Sequence, residues 1–276
     1  MKMSASIVLY KHDPSEIDDL VREICITPCI SQLFLIDNYT KGNIDYSDLL
    51  NNKTYLYKSK ENLGYGAGHN IAINKSDKSN IAHAIVNPDI SLNSGSLFEL
   101  LKRLFNEQDV GMITPLIKLE TGSIQYSCKY SPRPMDLIVR LLPSNLFTKR
   151  KNYFEMRELN YNQEIYAPYI SGCFMIVKLE VIKQIGGFDE NFFMYPEDID
   201  LSRRIAEKYK ILHYPKVEIV HGWQRASRKS FSMLWTHIIN ICKYFNKWGW
   251  FYDPNCDVLN KKYFDYNITK IDNEKK

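Results

Sequence analysis

Two periods of apolar spacing alternate along the first half of the chain. Ala5 to Tyr10 is a short apolar run of strand type, and Ser15 to Ile26 repeats its apolar residues at helical spacing. Gln32 to Ile36 predicts a second strand, ending at Asp37-Asn38, and Lys53 to Tyr57 a third. A glycine-rich turn from Asn62 to Asn70 leads into a helix around Asn70 to Lys75. Ala82 to Val86 predicts a fourth strand, closed by Asn87-Pro88-Asp89, and Ser94 to Asn106 another helix. Strand and helix in repeated alternation predict an α/β fold, a mainly parallel sheet with helices on both faces. Ligands of such sheets bind beyond the carboxyl ends of the strands. Asp37, the glycine turn and Asp89 all stand at such ends.

The second half is less regular. Gly111 to Leu119 and Ile170 to Val177 read as strands, separated by a long Pro-, Tyr- and Lys-rich connection over 131–168. A helix is expected from Pro196 to Lys208, then strands at Ile211 to Tyr214 and Val217 to Val220, the last ending at His221. From Ser230 the chain is helical and aromatic, with apolar residues at 231, 234, 235, 238, 241, 242, 245 and 248. The expected division is one α/β unit over 1–225 and a helical, aromatic extension over 226–276, packed on that unit or facing a membrane.

Composition narrows the class. A net charge of +4 over 276 residues is too mild to predict nucleic-acid binding. The six cysteines include no Cys-x-x-Cys pair, and the closest two, Cys25 and Cys29, lack a second pair at zinc-ligand spacing, which fits free thiols in a reducing compartment. The apolar run near the N-terminus is too short for a signal peptide, and no window approaches the ~20 apolar residues that span a bilayer. The expected location is cytoplasmic.

Four places carry chemistry. In Asn62-Leu-Gly-Tyr-Gly-Ala-Gly-His-Asn70, alternating glycines allow close backbone approach to a ligand, and a helix N-terminus follows. A plain turn needing positive φ explains them equally. Asn87-Pro-Asp89 leaves a carboxylate at a strand end, where it could hold Mg²⁺ or Mn²⁺ against phosphate oxygens, or form an ordinary turn. His221 ends an apolar strand and is a second metal donor if the sheet brings it near Asp89. Pro196-Glu197-Asp198-Ile199-Asp200 opens a helix with carboxylates at its positive end. Asp198 and Asp200 lie about 200° apart around a helix, so they serve different purposes. Asp200 reads as an ion-pair partner of Arg203 and Arg204. Asp198 is the candidate general base, with Glu197 as its neighbour; helix capping is the competing explanation.

Taken together these residues resemble the family-2 glycosyltransferases, and within them the bacterial rhamnosyltransferases. The likeness runs from Ser6-Ile-Val-Leu-Tyr10 to about Phe251. It is strongest at Asn62-Leu-Gly-Tyr-Gly, Asn87-Pro-Asp89, Ser171-Gly-Cys-Phe-Met175 and Gly186 to Arg204, with support from His221, His237 and Tyr244-Phe245. The resemblance implies a GT-A fold and inverting, metal-dependent transfer from a nucleotide sugar. It places Val8, Tyr10, Asp37, Asn62, Gly64, Gly66, Asn87 and Asp89 at the nucleotide sugar. Asp89 and His221 would hold Mg²⁺ or Mn²⁺, with Asp198 and Glu197 at the catalytic position and Gly172 and Trp223 on the acceptor side. The implied donor is dTDP-β-L-rhamnose, and the implied acceptor a polyprenyl-diphosphate-linked saccharide at the cytoplasmic membrane face. The segment from Leu146 to Phe154, with Lys149, Arg150 and Lys151, and the aromatic tail are candidates to meet that face. Lys11 and Tyr39 depart from the common family residues beside the base pocket. Another nucleotide sugar (UDP-galactofuranose, UDP-glucose or UDP-GlcNAc), a dinucleotide oxidoreductase and a non-catalytic sugar-nucleotide-binding protein are the alternatives. The oxidoreductase lacks its third fingerprint glycine, because His69 stands there.

Overall fold

A computed structural model describes residues 1–141, 147–222 and 231–274; of 140–141, 231–233 and 271–274 it describes the backbone alone. The elements in chain order are β1 (Met3–Leu9), α1 (Pro14–Ile26), β2 (Ile30–Asp37), β3 (Thr54–Lys58), α2 (Tyr65–Lys75), β4 (Ala82–Val86) and β5 (Ile90–Ser91). There follow α3 (Ser94–Asn106), β6 (Val110–Leu119), β7 (Cys128–Lys129), α4 (Pro134–Leu141), α5 (Thr148–Phe154), β8 (Ile165–Tyr166), β9 (Tyr169–Ile170) and β10 (Phe174–Lys178). The chain ends with α6 (Leu179–Gln184), α7 (Glu197–Ala206), β11 (Lys210–His221), α8 (Phe231–Trp248) and α9 (Pro254–Glu274).

The main sheet has the order β3-β2-β1-β4-β10-β6-β11-β5, with β8 added on β11. Strands β1 to β4 are parallel, joined by α1, by the long connection over 38–53 and by α2. The sheet as a whole is mixed, because β10 runs antiparallel between β4 and β6. β4 is buried along its whole length and is apolar apart from His83, as a central strand covered on both faces must be. Helices α1 and α3 bury Ile17, Leu20, Val21 and Ile24, and Leu97, Leu100, Leu101 and Leu104, the one-face stripe of a surface helix. A capping box opens α1: Asp13 Oδ1 accepts from Ser15 N, and Glu16 Oε2 accepts from Asp13 N, each at 3.0 Å.

Three elements differ from the sequence expectation. The apolar run from Ile170 to Val177 is two strands, since the chain leaves β9 at Ser171-Gly172-Cys173 and enters the main sheet only at Phe174. Pro215 does not split β11; the pairing with β6 shifts between Tyr214 and Glu218 and then resumes. Helix α2 starts at Tyr65, so most of the glycine-rich segment is its first turn. Over 131–168 the long connection contains α4, α5 and β8.

Candidate active site

The carboxyl ends of β1, β2 and β4 converge as the topology demands. Leu9 is in register with Asp37, and Val8 with Ile36. Asp37 is buried and accepts the Tyr39 amide at 2.9 Å, which turns the chain after β2. Asn38 donates to Gly64 O at 2.9 Å and accepts from Ser59 Oγ, tying that turn to the start of α2. Tyr10 is exposed and edge-on to Tyr39, with Lys11 Nζ 5.6 and 5.3 Å from the two ring centres. This rim is open to solvent and has the stacking surface a nucleobase requires.

The glycines of α2 serve close packing. Gly64, at φ +84°, turns toward Phe193 O, where any Cβ would collide. A Cβ on Gly66 would stand 2.9 Å from Phe188 Cβ, and one on Gly68 2.8 Å from a Val8 methyl. Asn62 is exposed and caps the turn, its Oδ1 accepting from Gly64 N at 3.1 Å. Asn70 brackets the second acidic segment: its amide donates to Phe188 O and Glu190 Oε1, and its carbonyl accepts from Phe188 N. The glycine turn and the Gly186–Arg204 segment are therefore one packed unit.

Asp89 and His221 are brought together by a two-residue strand. β5 pairs with the end of β11, His221 opposite Ile90, and Gly222 N donates to Asp89 O at 2.8 Å. His221 Nε2 lies 3.1 Å from Asp89 Oδ1, while its Nδ1 meets Gln125 Oε1 at 2.7 Å. The Nε2 contact has ion-pair distance without hydrogen-bond alignment, so Asp89 Oδ1 remains a buried acceptor with no hydrogen bond, as does Asn87 Oδ1. Burial opposes charge on His221, but Asp89 and the neighbouring Cys173 outweigh it and push its pKa up to about 10. Burial likewise works against the Asp89 carboxylate, and the adjoining positive charge of His221 prevails, holding it below the ordinary aspartate range. Among the described residues no three His, Cys, Asp or Glu side chains cluster as a complete metal cage. One carboxylate with an open lone pair, beside one imidazole, fits an ion that takes most of its shell from phosphate and water.

Asp198 stands in the first turn of α7, half-buried. Its Oδ2 accepts from Gly172 N at 3.0 Å and Tyr169 Oη at 3.2 Å, and its Oδ1 from Ile199 N at 2.9 Å. The break between β9 and β10 supplies that amide, and a Cβ on Gly172 would stand 2.9 Å from Asp198 Cβ. Glu197 is buried, with Oε2 lacking a partner. Burial, and then the charge of Asp198, push the Glu197 pKa up to about 8. Glu197 thus keeps its proton near neutrality. Asp200 pairs with Arg204 at 2.8 Å, as its spacing predicts; Arg203 pairs with Asp253 instead.

Tyr65 joins the two halves of the site, its hydroxyl donating to Gly172 O at 2.6 Å. Burial, and then Cys173, Glu197, Asp198 and Asp89, raise its pKa, so both acidic motifs surround one side chain. His12 also feels Asp89. Neither Tyr65 nor Gln125 stood out in the sequence; a tyrosine among glycines carries no motif of its own. Trp223 lies outside the described residues.

Glu197 gives the first prediction. A carboxyl whose folded pKa is raised from 4.5 to about 8 contributes stability that is full below the lower value and lost as pH rises through the upper one. Glu197→Gln removes that loss. Melting curves of the two proteins should diverge over this window, the wild type falling by on the order of a few kcal/mol relative to the variant. Parallel curves would show that Glu197 ionises normally.

The fold is that of the GT-A glycosyltransferases. Similar solved structures are GalNAc-T7 with UDP, GalNAc and Mn²⁺ (TM-score 0.63, 14% identity, 90% of this chain and 48% of that one) and the mannosyltransferase PcManGT of Pyrobaculum calidifontis with GDP-Man and Mn²⁺ (TM-score 0.59, 13% identity, 95% and 69%). At such identities the likeness concerns the fold alone. No family model matches the chain. In sequence it is similar to the N-acetylglucosaminyl-diphospho-decaprenol L-rhamnosyltransferase of Mycobacterium tuberculosis, 28% identical over 149 residues (50% of this chain, 45% of that protein). It is also similar to the rhamnosyltransferase WbbL of Escherichia coli, 29% identical over 185 residues (61% and 65%). The Agl10 hexosyltransferase of low-salt glycan biosynthesis in Haloferax volcanii is 27% identical over 230 residues (80% and 67%). The chain thus matches about half the length of the mycobacterial relative and just under two thirds of the E. coli one. The resemblance to bacterial rhamnosyltransferases holds.

Proposed function

We propose that this protein is an inverting glycosyltransferase that moves L-rhamnose from dTDP-β-L-rhamnose to a hydroxyl of a polyprenyl-diphosphate-linked saccharide, on the cytoplasmic side of a membrane. The transferring unit is 1–225, with 226–276 as its helical extension. The observation that carries the reading is the gathering of a fixed, half-buried carboxylate, Asp198, and the Asp89–His221 pair around Tyr65 and Gly172.

The nucleobase stacks at the rim of Tyr10 and Tyr39, over Val8 and beside Asp37, and the diphosphate reaches Asp89. Asp89 and His221 are the residues that would hold Mg²⁺ or Mn²⁺. Such an ion, when bound, offsets charge on the departing diphosphate as a Lewis acid. Asp198 accepts the proton of the acceptor hydroxyl while that oxygen forms a bond to the anomeric carbon. The carbon–oxygen bond to the diphosphate breaks on the opposite side, and the β-linked donor becomes an α-linked product. Gly172 N, Ile199 N and Tyr169 Oη keep the carboxylate fixed, so little reorganisation is required during transfer. The Asp198 oxygens must exchange part of this bonding for the incoming hydroxyl.

A membrane contact fits the surface of the paired helices α4 and α5. Met135, Ile138, Phe147 and Tyr153 are exposed there, beside Lys149 and Arg150. Such mixed apolar and basic surfaces favour anionic lipid headgroups. Leu146, in the same segment, lies outside the described residues. No described helix is long and apolar enough to cross a membrane.

One experiment tests donor, metal and surface together. A lipid-diphosphate-linked GlcNAc acceptor is embedded in anionic phospholipid vesicles and mixed with dTDP-, UDP- and GDP-sugars, with Mg²⁺, Mn²⁺ or EDTA. The expected result is nucleoside diphosphate release from dTDP-rhamnose, stopped by EDTA, with the protein sedimenting with vesicles at low salt. Turnover of another donor would remove the rhamnosyl assignment. Donor binding without any turnover would make this a binding protein.

A further inference from the structure

The segment carrying the proposed base is gripped on two sides. On the inner side, Tyr65 N donates to Phe193 O at 3.0 Å, Asn70 brackets Phe188, and Gly172 N holds Asp198. On the outer side, α8 reaches the same segment with a row of donors spaced three and four residues apart, at 240, 243 and 247. Asn240 Nδ2 donates to Met194 O at 2.9 Å, and Lys243 Nζ to Asn191 O at 2.9 Å. Lys247 Nζ bridges Asp189 Oδ2 at 2.7 Å and Asp200 Oδ1 at 2.6 Å. Trp248 Nε1 adds a third donor to the Asp200 carboxylate at 2.9 Å, beside Arg204. Just beyond α8, Asp253 takes both terminal nitrogens of Arg203 at 2.6 and 2.7 Å, and that guanidinium lies 4.1 Å from the Trp248 ring centre.

Stability of the buried Asp200 charge alone does not require this pattern. Arg204, from the same helix, already pairs with Asp200 one turn away. Lys247, Lys243 and Asn240 instead join the loop before α7 to its first turns, at Asp189, Asn191, Met194 and Asp200, on both sides of Asp198. A misplacement of about 1 Å in a reacting group can cost 10²-fold in rate. A base in the first turn of a short helix after an irregular loop is exposed to such an error unless something outside the helix fixes it.

We propose that the C-terminal extension is a positioning element for the catalytic carboxylate: Lys247 and Asn240 set the place of the first turn of α7, and thereby of Asp198. This inference rests on the reading of Asp198 as general base. Lys247 is partly exposed and unites two acidic groups from either end of the segment, so it is the natural point to cut.

The test compares Lys247→Met, which keeps the side-chain stem and removes the charge, with Lys247→Arg, which can bridge again. Lys243→Met, at an exposed position, breaks the Asn191 tie separately. Measured are kcat, donor KM and amide exchange over 189–204. Expected for Lys247→Met is a fall in kcat of about 10-fold or more at nearly constant donor KM, with faster exchange confined to 189–204. Lys247→Arg should restore most of the rate, and Lys243→Met should show the same direction with a smaller effect. Unchanged kcat in Lys247→Met would overturn the proposal, whether or not exchange changes. So would an equal loss in Lys247→Arg. Asp198→Asn in the same assay separates the two readings. If it retains activity, the base assignment fails by itself, and the exchange data still report whether the extension holds the segment.

Discussion

Asp198→Asn should bind the donor normally and turn it over about 10²- to 10⁴-fold more slowly, the usual contribution of a positioned general base. Asparagine keeps the size of the side chain and one acceptor oxygen. That oxygen can still take the Gly172 amide, now 3.0 Å from Asp198 Oδ2. The substituted NH₂ then faces the Ile199 amide, which donates to Asp198 Oδ1 at 2.9 Å, so one former acceptor is lost. The cost in stability is that of one unsatisfied group, about 1–3 kcal/mol, well short of unfolding a domain of this size. Nothing in the proposed donor site at Tyr10, Tyr39 and Asp89 touches this change. The check pairs calorimetric binding of dTDP with the rate of nucleoside diphosphate release. A variant within about 10-fold of the wild-type rate would remove Asp198 from the chemistry, because a base worth so little lies below the range for such catalysis.

How much of this was legible in the sequence depends on the range of each interaction. The strand at Ala82–Val86 and the helix at Ser94–Asn106 were read to the residue, since burial on both faces and one-sided burial leave direct periodic signatures. The break at Ser171-Gly172-Cys173 is not, because a Ser-Gly dipeptide inside an apolar stretch marks a bulge or close approach within one strand as readily as a turn between two. What ends the strand there is a turn that delivers the Gly172 amide to Asp198, a long-range event. The glycines after Asn62 were visible as glycines, but their purpose was not. They make room for Phe193 O, Phe188 and Val8, not only for a ligand. Asp200–Arg204 followed from helical spacing alone, whereas Arg203–Asp253 depends on a helix that returns from the far end of the chain. The pairing of Asp89 with His221 had no local signal beyond two strand ends; a resemblance to known transferases supplied it. Gln125, which meets His221 from the segment that folds back on β6, has none at all.

That pair defines the second large effect. Asp89→Asn keeps the shape of the side chain and removes the charge beside His221 on which the proposed divalent ion would depend. Two results are expected, and one does not involve any metal. Burial alone lowers a histidine pKa, and Asp89 is a principal reason that His221 stands near 10. Without the carboxylate, the His221 ring proton signals should therefore titrate well below the wild-type range. The second result concerns turnover. An ion held by one carboxylate and one imidazole has no further protein ligand among the described clusters to compensate for a lost one. Lewis-acid stabilisation of a leaving group amounts to several kcal/mol, so turnover should fall by about 10³-fold, with Mn²⁺ affinity in the presence of dTDP reduced at least about 10-fold. Electron paramagnetic resonance of Mn²⁺ measures the affinity directly. A lowered His221 titration with unchanged Mn²⁺ binding would place the ion elsewhere and leave Asp89 as the partner of a cationic histidine. In that case a protonated His221, held cationic by Asp89 in the wild type, would be the group that meets the diphosphate.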